Sequence, residues 1–243
     1  MATVPAMGVR HFFGSFSGSR AVPDSRPPSP TFVLMRRCAA LLGLLLLLSG
    51  CFTGKRPSVV KDPFPAGLAT GDPAIDQVLA QLDAANAGPY TANYTVLTKF
   101  GNVSRPASVS VEQGRRSVTV GDVRFLTVGN ASQTCLLDRQ NPCSPSIQPA
   151  RISDTQVTPD FYAADAAKRL RRDATAIVGK PISHVETMAG QQATCVDVPL
   201  SGGTSVFCVL SGGPLARLDD ASVAIDITQF APTVNESLFA TIR

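Results

Sequence analysis

The 243-residue chain has no tryptophan, three tyrosines and two histidines, His11 and His184. These scarcities narrow the chemistry. With one histidine after position 51, a metal centre built on imidazoles lacks ligands, and neither close cysteine pair has C-x-x-C spacing. No G-x-S-x-G elbow is present, and a lone His184 inside a strand-like segment reads as structural, so Ser–His–Asp hydrolysis is not expected. Gly202-Gly203 and Gly212-Gly213 lack the lysine and helix start that phosphate binding needs, and Asp219-Asp220 before Ala221-Ser222 reads as a hairpin turn. A non-enzyme without metal or cofactor is expected. The apolar run Ala39 to Leu48 also falls short of the roughly 20 residues that span a bilayer.

That run has a different meaning. It follows Arg36 and Arg37 and ends in Leu48-Ser49-Gly50-Cys51, which resembles a bacterial lipoprotein signal with its lipobox. The Cys51 thiol can accept a diacylglyceryl group, and small Ser49 and Gly50 suit a peptidase cutting before it. The other reading is a secretory signal with an incidental cysteine. Residues 1–34 are basic and Ser/Pro-rich without apolar periodicity, and are read as an extension with the true start near Val33 or Met35; residues 35–51 are the signal. Of 22 basic and 18 acidic residues, five and one precede Cys51, leaving 17 of each. The basic balance therefore belongs to the leader, and no nucleic-acid partner is expected. The expected location is the outer face of the cell membrane, held by lipid.

Four further cysteines fit an extracytoplasmic site. Three connectivities exist. Ala193–Val198 and Thr204–Leu210 read as strands joined by Leu200-Ser201-Gly202-Gly203, and folding that hairpin symmetrically sets Cys195 opposite Cys208. The reading therefore favours Cys195 with Cys208 and Cys135 with Cys143.

Residues 52–70, rich in Pro, Lys and Gly, read as a flexible tether, 71–232 as the domain and 233–243 as a tail. Asp72 can cap a helix with Pro73 in its first turn and Ile75, Val78, Leu79 and Leu82 on one face, stopped by Gly88-Pro89. Tyr90–Phe100 alternates as a strand with Tyr90, Ala92, Tyr94, Val96 and Phe100 on one side; strands at 107–113, 115–120 and 123–128 follow. A second helix is expected from Thr158 through Leu170 to Ile177, its polar side carrying Lys168, Arg169, Arg171 and Arg172 as a solvated face. Strands return near 181–188, 193–198, 204–210, 214–219 and 221–230, the last with Val223, Ile225 and Ile227 on one face. Helices segregated from an antiparallel sheet mean α+β.

Tyr90-Thr91-Ala92-Asn93-Tyr94-Thr95-Val96, Met188-Ala189-Gly190-Gln191-Gln192-Ala193-Thr194-Cys195 and Val206-Phe207-Cys208-Val209 followed by Gly213-Pro214-Leu215 resemble segments of actinobacterial lipoproteins of the LolA/LppX-like type. The resemblance implies a strongly curved antiparallel sheet, a half-open barrel wrapped around helices. It also implies a hydrophobic cavity for a lipid or amphiphile, for which the sequence nominates Tyr94, Val96, Phe100, Leu170, Val223, Ile225 and Ile227 as lining. No residue carries over as a ligand contact. The competing expectation is a cell-envelope binding or scaffold module with a filled core and exposed sheet-edge features. Ligand identity, protein partners and oligomeric state are left open.

Overall fold

The computed structural model describes residues 62–138 and 143–240; Cys51, the signal and the first part of the tether lie outside the described residues. Helix α1 (Pro73–Ala84) begins where expected, because Asp72 Oδ1 accepts from the backbone N–H groups of Ala74 and Ile75 at 2.9 and 3.2 Å. Its buried residues are Ile75, Val78, Leu79 and Leu82, and burying each such side chain contributes about 1.5–3 kcal/mol over leaving it in water. After a 3₁₀ turn, Ala85–Ala87, the chain bends at Gly88. A Cβ there would lie 2.8 Å from the Val111 carbonyl oxygen, and φ is +44°, so only glycine fits.

Ten strands follow: β1 (Tyr90–Thr98), β2 (Val103–Glu112), β3 (Arg115–Val120), β4 (Val123–Val128) and β5 (Ala131–Leu136), then β6 (Ile182–Met188), β7 (Gln191–Leu200), β8 (Gly203–Leu210), β9 (Leu215–Asp219) and β10 (Val223–Ala231). Between the two sets lie helices α2 (Pro149–Thr155) and α3 (Ala164–Ala174). All pairings are antiparallel, in the order β5-β4-β3-β2-β1-β10-β9-β8-β7-β6, so consecutive strands are neighbours except β5 and β6, and β1 joins β10 as the one non-consecutive pair. The sheet is curved and unclosed, with β5 and β6 as its edges. The architecture is α+β, as the sequence indicates. No helix among the described residues is long and apolar enough to cross a membrane.

Period-two alternation explains the core. Tyr94 faces Ile227 across β1 and β10, Val96 faces Ile225, and Ala92 faces Val109 on β2; all six are buried in one cluster with Ile75, Leu79, Phe161, Tyr162 and Leu170.

Five expectations need correction. The second helix starts at Ala164, not Thr158, because the Tyr162 carbonyl accepts from the Leu215 N–H at 2.9 Å and so leaves the helical ladder; Ile177 instead forms a β-bridge with Leu200. Helix α2, with little apolar periodicity to announce it, precedes that turn. Phe100 lies past the end of β1 in the hairpin turn and is 89 % exposed, while Thr98 takes the buried place. Residues 62–70 do not behave as free tether, since Gly67 N–H donates to Asp83, Leu68 carbonyl accepts from Arg171, and Thr70 donates to Asp76. The tail is likewise fastened: Ser117 donates to the Leu238 carbonyl, Arg115 pairs with Glu236 and lies 4.4 Å from the Phe239 ring centre.

Candidate functional site

The interior comes first, because a carrier would need space there. Tyr94, Val96, Leu170, Val223, Ile225 and Ile227 do converge between sheet and helices, but they are packed against each other and against the ring of Phe161, whose centre is 5.3 Å from that of Tyr94. Phe161 meets Tyr162 edge-on at 5.8 Å, and Tyr162 meets Tyr90 at 6.5 Å, so aromatic rings fill the concavity. Solvent-accessible area counts internal voids as well as the outer surface. The six nominated residues have 0–7 % accessibility, so they pack closely with little water-sized space beside them. Phe100, the seventh, is outside altogether. Burial pushes the Tyr94 hydroxyl pKa well above its ordinary value and that of Tyr162 up to about 12, as expected in dry surroundings.

The sheet edges differ. At β5, the segment after the strand folds back: Cys135 is bridged to Cys143, and Thr134 exchanges backbone hydrogen bonds with Ser144 at 3.0 and 2.9 Å. That edge is occupied at Thr134. At β6, no described residue pairs with the outer side of the strand, and its apolar side chains are unusually open, with Ile182 62 % and Val185 65 % exposed and Val178 close by in sequence at 64 %. An unpaired row of N–H and C=O groups flanked by exposed apolar side chains is a template for another strand.

A continuous row of side chains leads to this edge on the outer face. In register, His184 on β6 stands beside Cys195 on β7, Cys208 on β8, Arg217 on β9 and Asp226 on β10. Cys195 and Cys208 form the disulfide, in the cross-strand position that hairpin symmetry indicates, except that the strands extend to Leu200 and Gly203 and only Ser201-Gly202 turn. Because cysteines are short, Arg217 reaches across the bridge to Glu186 at 2.8 Å while also holding Asp226 at 2.8 Å. The hydrogen bond that Arg217 donates to Asp226 and the two carboxylate charges keep its guanidinium firmly charged despite partial burial. His184 Nδ1 lies 3.9 Å from Asp197. His184, Glu186 and the two sulfurs have ligand atoms within 4.8 Å of one another, but the sulfurs are bonded together and offer no thiolates to a metal.

The basic run on α3 is a solvated face only at Lys168 and Arg172, while Arg169 and Arg171 turn inward. Arg171 is 3 % exposed and donates to the Leu68 carbonyl and to Asp83 at 2.8 and 2.5 Å. Arg169 bridges Asp165 and Asp220 at 3.0 and 2.9 Å, Lys168 holds Asp62 at 2.9 Å, and Arg172 holds Asp173 at 2.8 Å. Lys168, Arg169 and Arg171 fasten residues 62–68 and the β9–β10 turn to the helix. Asp220 shows the turn chemistry: its Oδ1 accepts from Ser222 N–H, Ser222 Oγ and Val223 N–H at 2.7, 2.7 and 2.9 Å. Sequence reasoning found the cysteine pairing and the apolar strand faces, but missed the β6 edge. The apolar residues Ile182 and Val185, three positions apart and so on opposite faces, show in the sequence, but their place on the outermost strand does not.

Structure and site together define an α+β module with a closely packed interior, one sheet edge bridged at Thr134 and one edge open among the described residues. No family model matches the chain, and no curated protein does. Among solved structures, the chain is similar to the Pseudomonas aeruginosa MucA/MucB complex, with a TM-score of 0.42 and 12 % identity over 69 % of this chain and 60 % of that one. It is also similar to MucB in complex with MucA(peri), at a TM-score of 0.37 and 10 % identity, covering 65 % of this chain and 55 % of the other. A DUF1329 family protein from Desulfovibrio piger shows a TM-score of 0.29 and 8 % identity over 70 % of this chain and 98 % of its own. The chain thus spans about three fifths of the length of the first of these.

Proposed function

We propose that this chain is a lipid-anchored, non-enzymatic module of the outer face of the cell membrane, of the LolA/LppX-like kind, that acts by docking an extended protein segment along β6 and does not carry lipid. The anchor rests on the Leu48-Ser49-Gly50-Cys51 pattern at the end of an apolar run after two arginines. The observation that carries the docking function is the combination of a filled concavity with an open, apolar-flanked edge strand. Backbone hydrogen bonds would supply affinity at that edge, and Ile182 and Val185, on opposite faces, would supply side-chain contacts to an incoming strand.

A photo-crosslinking residue placed at Val185 in the full chain, expressed in membranes, tests this against the same probe at the more exposed but non-edge Phe100. Protein adducts at position 185 and few at position 100 are expected. Equal yields at the two positions, no adduct at 185, or adducts with lipid there would overturn the docking assignment.

A further inference from the structure

The β6 strand carries information about its own partner. Its sequence is Ile182-Ser183-His184-Val185-Glu186-Thr187-Met188, with the only histidine of the described residues two positions from a glutamate and a valine between them. On an antiparallel ladder the side chains of His184 and Glu186 share one face and Val185 takes the other. A two-fold axis through Val185, relating this strand to an identical one, would set each His184 opposite the partner's Glu186. The same axis sets Val185 opposite Val185, Ser183 opposite Thr187, and Ile182 opposite Met188. Every pair is compatible: imidazole with carboxylate, apolar with apolar, hydroxyl with hydroxyl, apolar again.

Neighbouring symmetric registers lose this match. An axis on His184 stacks the imidazoles on each other and puts Glu186 against Ile182. An axis on Glu186 opposes two carboxylates, and an axis on Ser183 draws Pro181, which has no N–H, into the ladder. Register is thus specified by the strand itself, as an edge meant for one partner requires.

The outer-face row also reaches its end at this point. From Asp226 through Arg217, the Cys208–Cys195 bridge and His184, the cross-strand neighbours run unbroken across five strands and stop at the open edge. A carboxylate in the next strand would extend it, and in the Val185-centred register that place belongs to the second copy's Glu186. The opposite edge is less open, since Ser144 pairs with β5 at Thr134 and Cys143 is bridged to Cys135.

We infer that the occupant of the β6 edge is a second copy of this chain, paired antiparallel about Val185 to give a continuous twenty-stranded sheet with an isologous interface. This inference rests on the docking function proposed for the same edge. It goes further by naming the partner and its register. In a membrane-anchored chain both copies lie in one plane, which raises their effective concentration and makes a weak edge contact sufficient.

The test uses charge exchange on the full-length chain purified in detergent and followed by sedimentation. Wild type is expected to dimerise reversibly with concentration. His184→Glu would face each new glutamate with the partner's Glu186, and Glu186→Lys would face each lysine with the partner's His184, so each variant alone should weaken association at least tenfold. Mixing the two restores one opposite-charge pair and one His–Glu pair across a single interface, so the mixture should form heterodimers, and the double variant should dimerise by itself. As an independent readout, Val185→Cys should give a disulfide-linked dimer on a non-reducing gel under mild oxidation, whereas Phe100→Cys should not. Monomer at all concentrations for wild type, or dimers indifferent to both charge variants and to Val185→Cys, would overturn the inference. If position 185 nevertheless captures a different protein in membranes, the docking function stands and only the second-copy assignment fails; if it captures nothing, both fail.

Discussion

Asp220 shows how much a single turn residue does in this molecule. Burial alone would raise its pKa, but hydrogen bonds from Ser222, the Val223 N–H and Arg169 hold the carboxyl below the ordinary aspartate range. A carboxylate whose folded pKa is depressed contributes stability above the unfolded value of about 3.9, and that contribution is lost as the pH falls through the folded value. Denaturant melts should therefore show stability falling below about pH 4, and Asp220→Asn should flatten that acid limb. Asp220→Ala, which strips the turn of its acceptor and leaves Arg169 with Asp165 and the Ser222 hydroxyl, should cost about 2 kcal/mol at neutral pH. Gly213 offers a steric counterpart. Its φ is +134°, and a Cβ there would sit 2.7 Å from the Ala85 Cα, so Gly213→Ala should lower stability by roughly 2 kcal/mol or more in the same melts. At this scale the sequence was legible where one residue acts on its nearest neighbours, as with Asp72 and its cap. It was not legible where distant chain decides. Arg171 reads as a surface cation in a basic run, and only the return of residues 67–68 and Asp83 past it makes it a buried clamp. Phe100 continues an alternating pattern on paper, and the turn at Gly101 and Asn102, both at positive φ, ends the strand two residues earlier.

At the scale of elements, the β7–β8 hairpin was the most readable part, because a symmetric hairpin with two cysteines equidistant from its turn has one register that joins them. The bridge closes a short loop and should be worth about 3 kcal/mol. Replacing Cys195 and Cys208 together by alanine should lower unfolding free energy by that order, measured by urea titration; a change under about 0.5 kcal/mol would show the row beside it holding the hairpin without the covalent link. Helix α3 was readable as a helix and misplaced at both ends. Thr158-Pro159-Asp160 has the composition of a helix start, yet Phe161 and Tyr162 both enter the core and the Tyr162 carbonyl is taken by Leu215. Tertiary hydrogen bonding outweighed local preference there. The open edge escaped notice because a strand pattern shows which side chains alternate but not which strand lies outermost in the sheet.

At the scale of the whole molecule, the alternation of short apolar-faced strands with two amphipathic segments was enough to place the chain in the α+β class. The order of strands across the sheet was not, since it depends on β1 pairing β10 across more than a hundred residues. The same limit applied to the interior. Apolar strand faces look alike whether they line a cavity or fill it, and the deciding residues, Phe161 and Tyr162, lie in a turn outside both. Attachment is a separate claim with its own test: Cys51→Ala should move the protein from the membrane fraction to a soluble or unprocessed form, and retention of a processed chain in the membrane would defeat the lipoprotein assignment. The central claim is that the concavity is filled and the protein works by its edge. Native mass spectrometry of the full chain extracted from membranes addresses it most directly: the account predicts polypeptide and anchor with no further lipid, and one lipid retained per chain would contradict it.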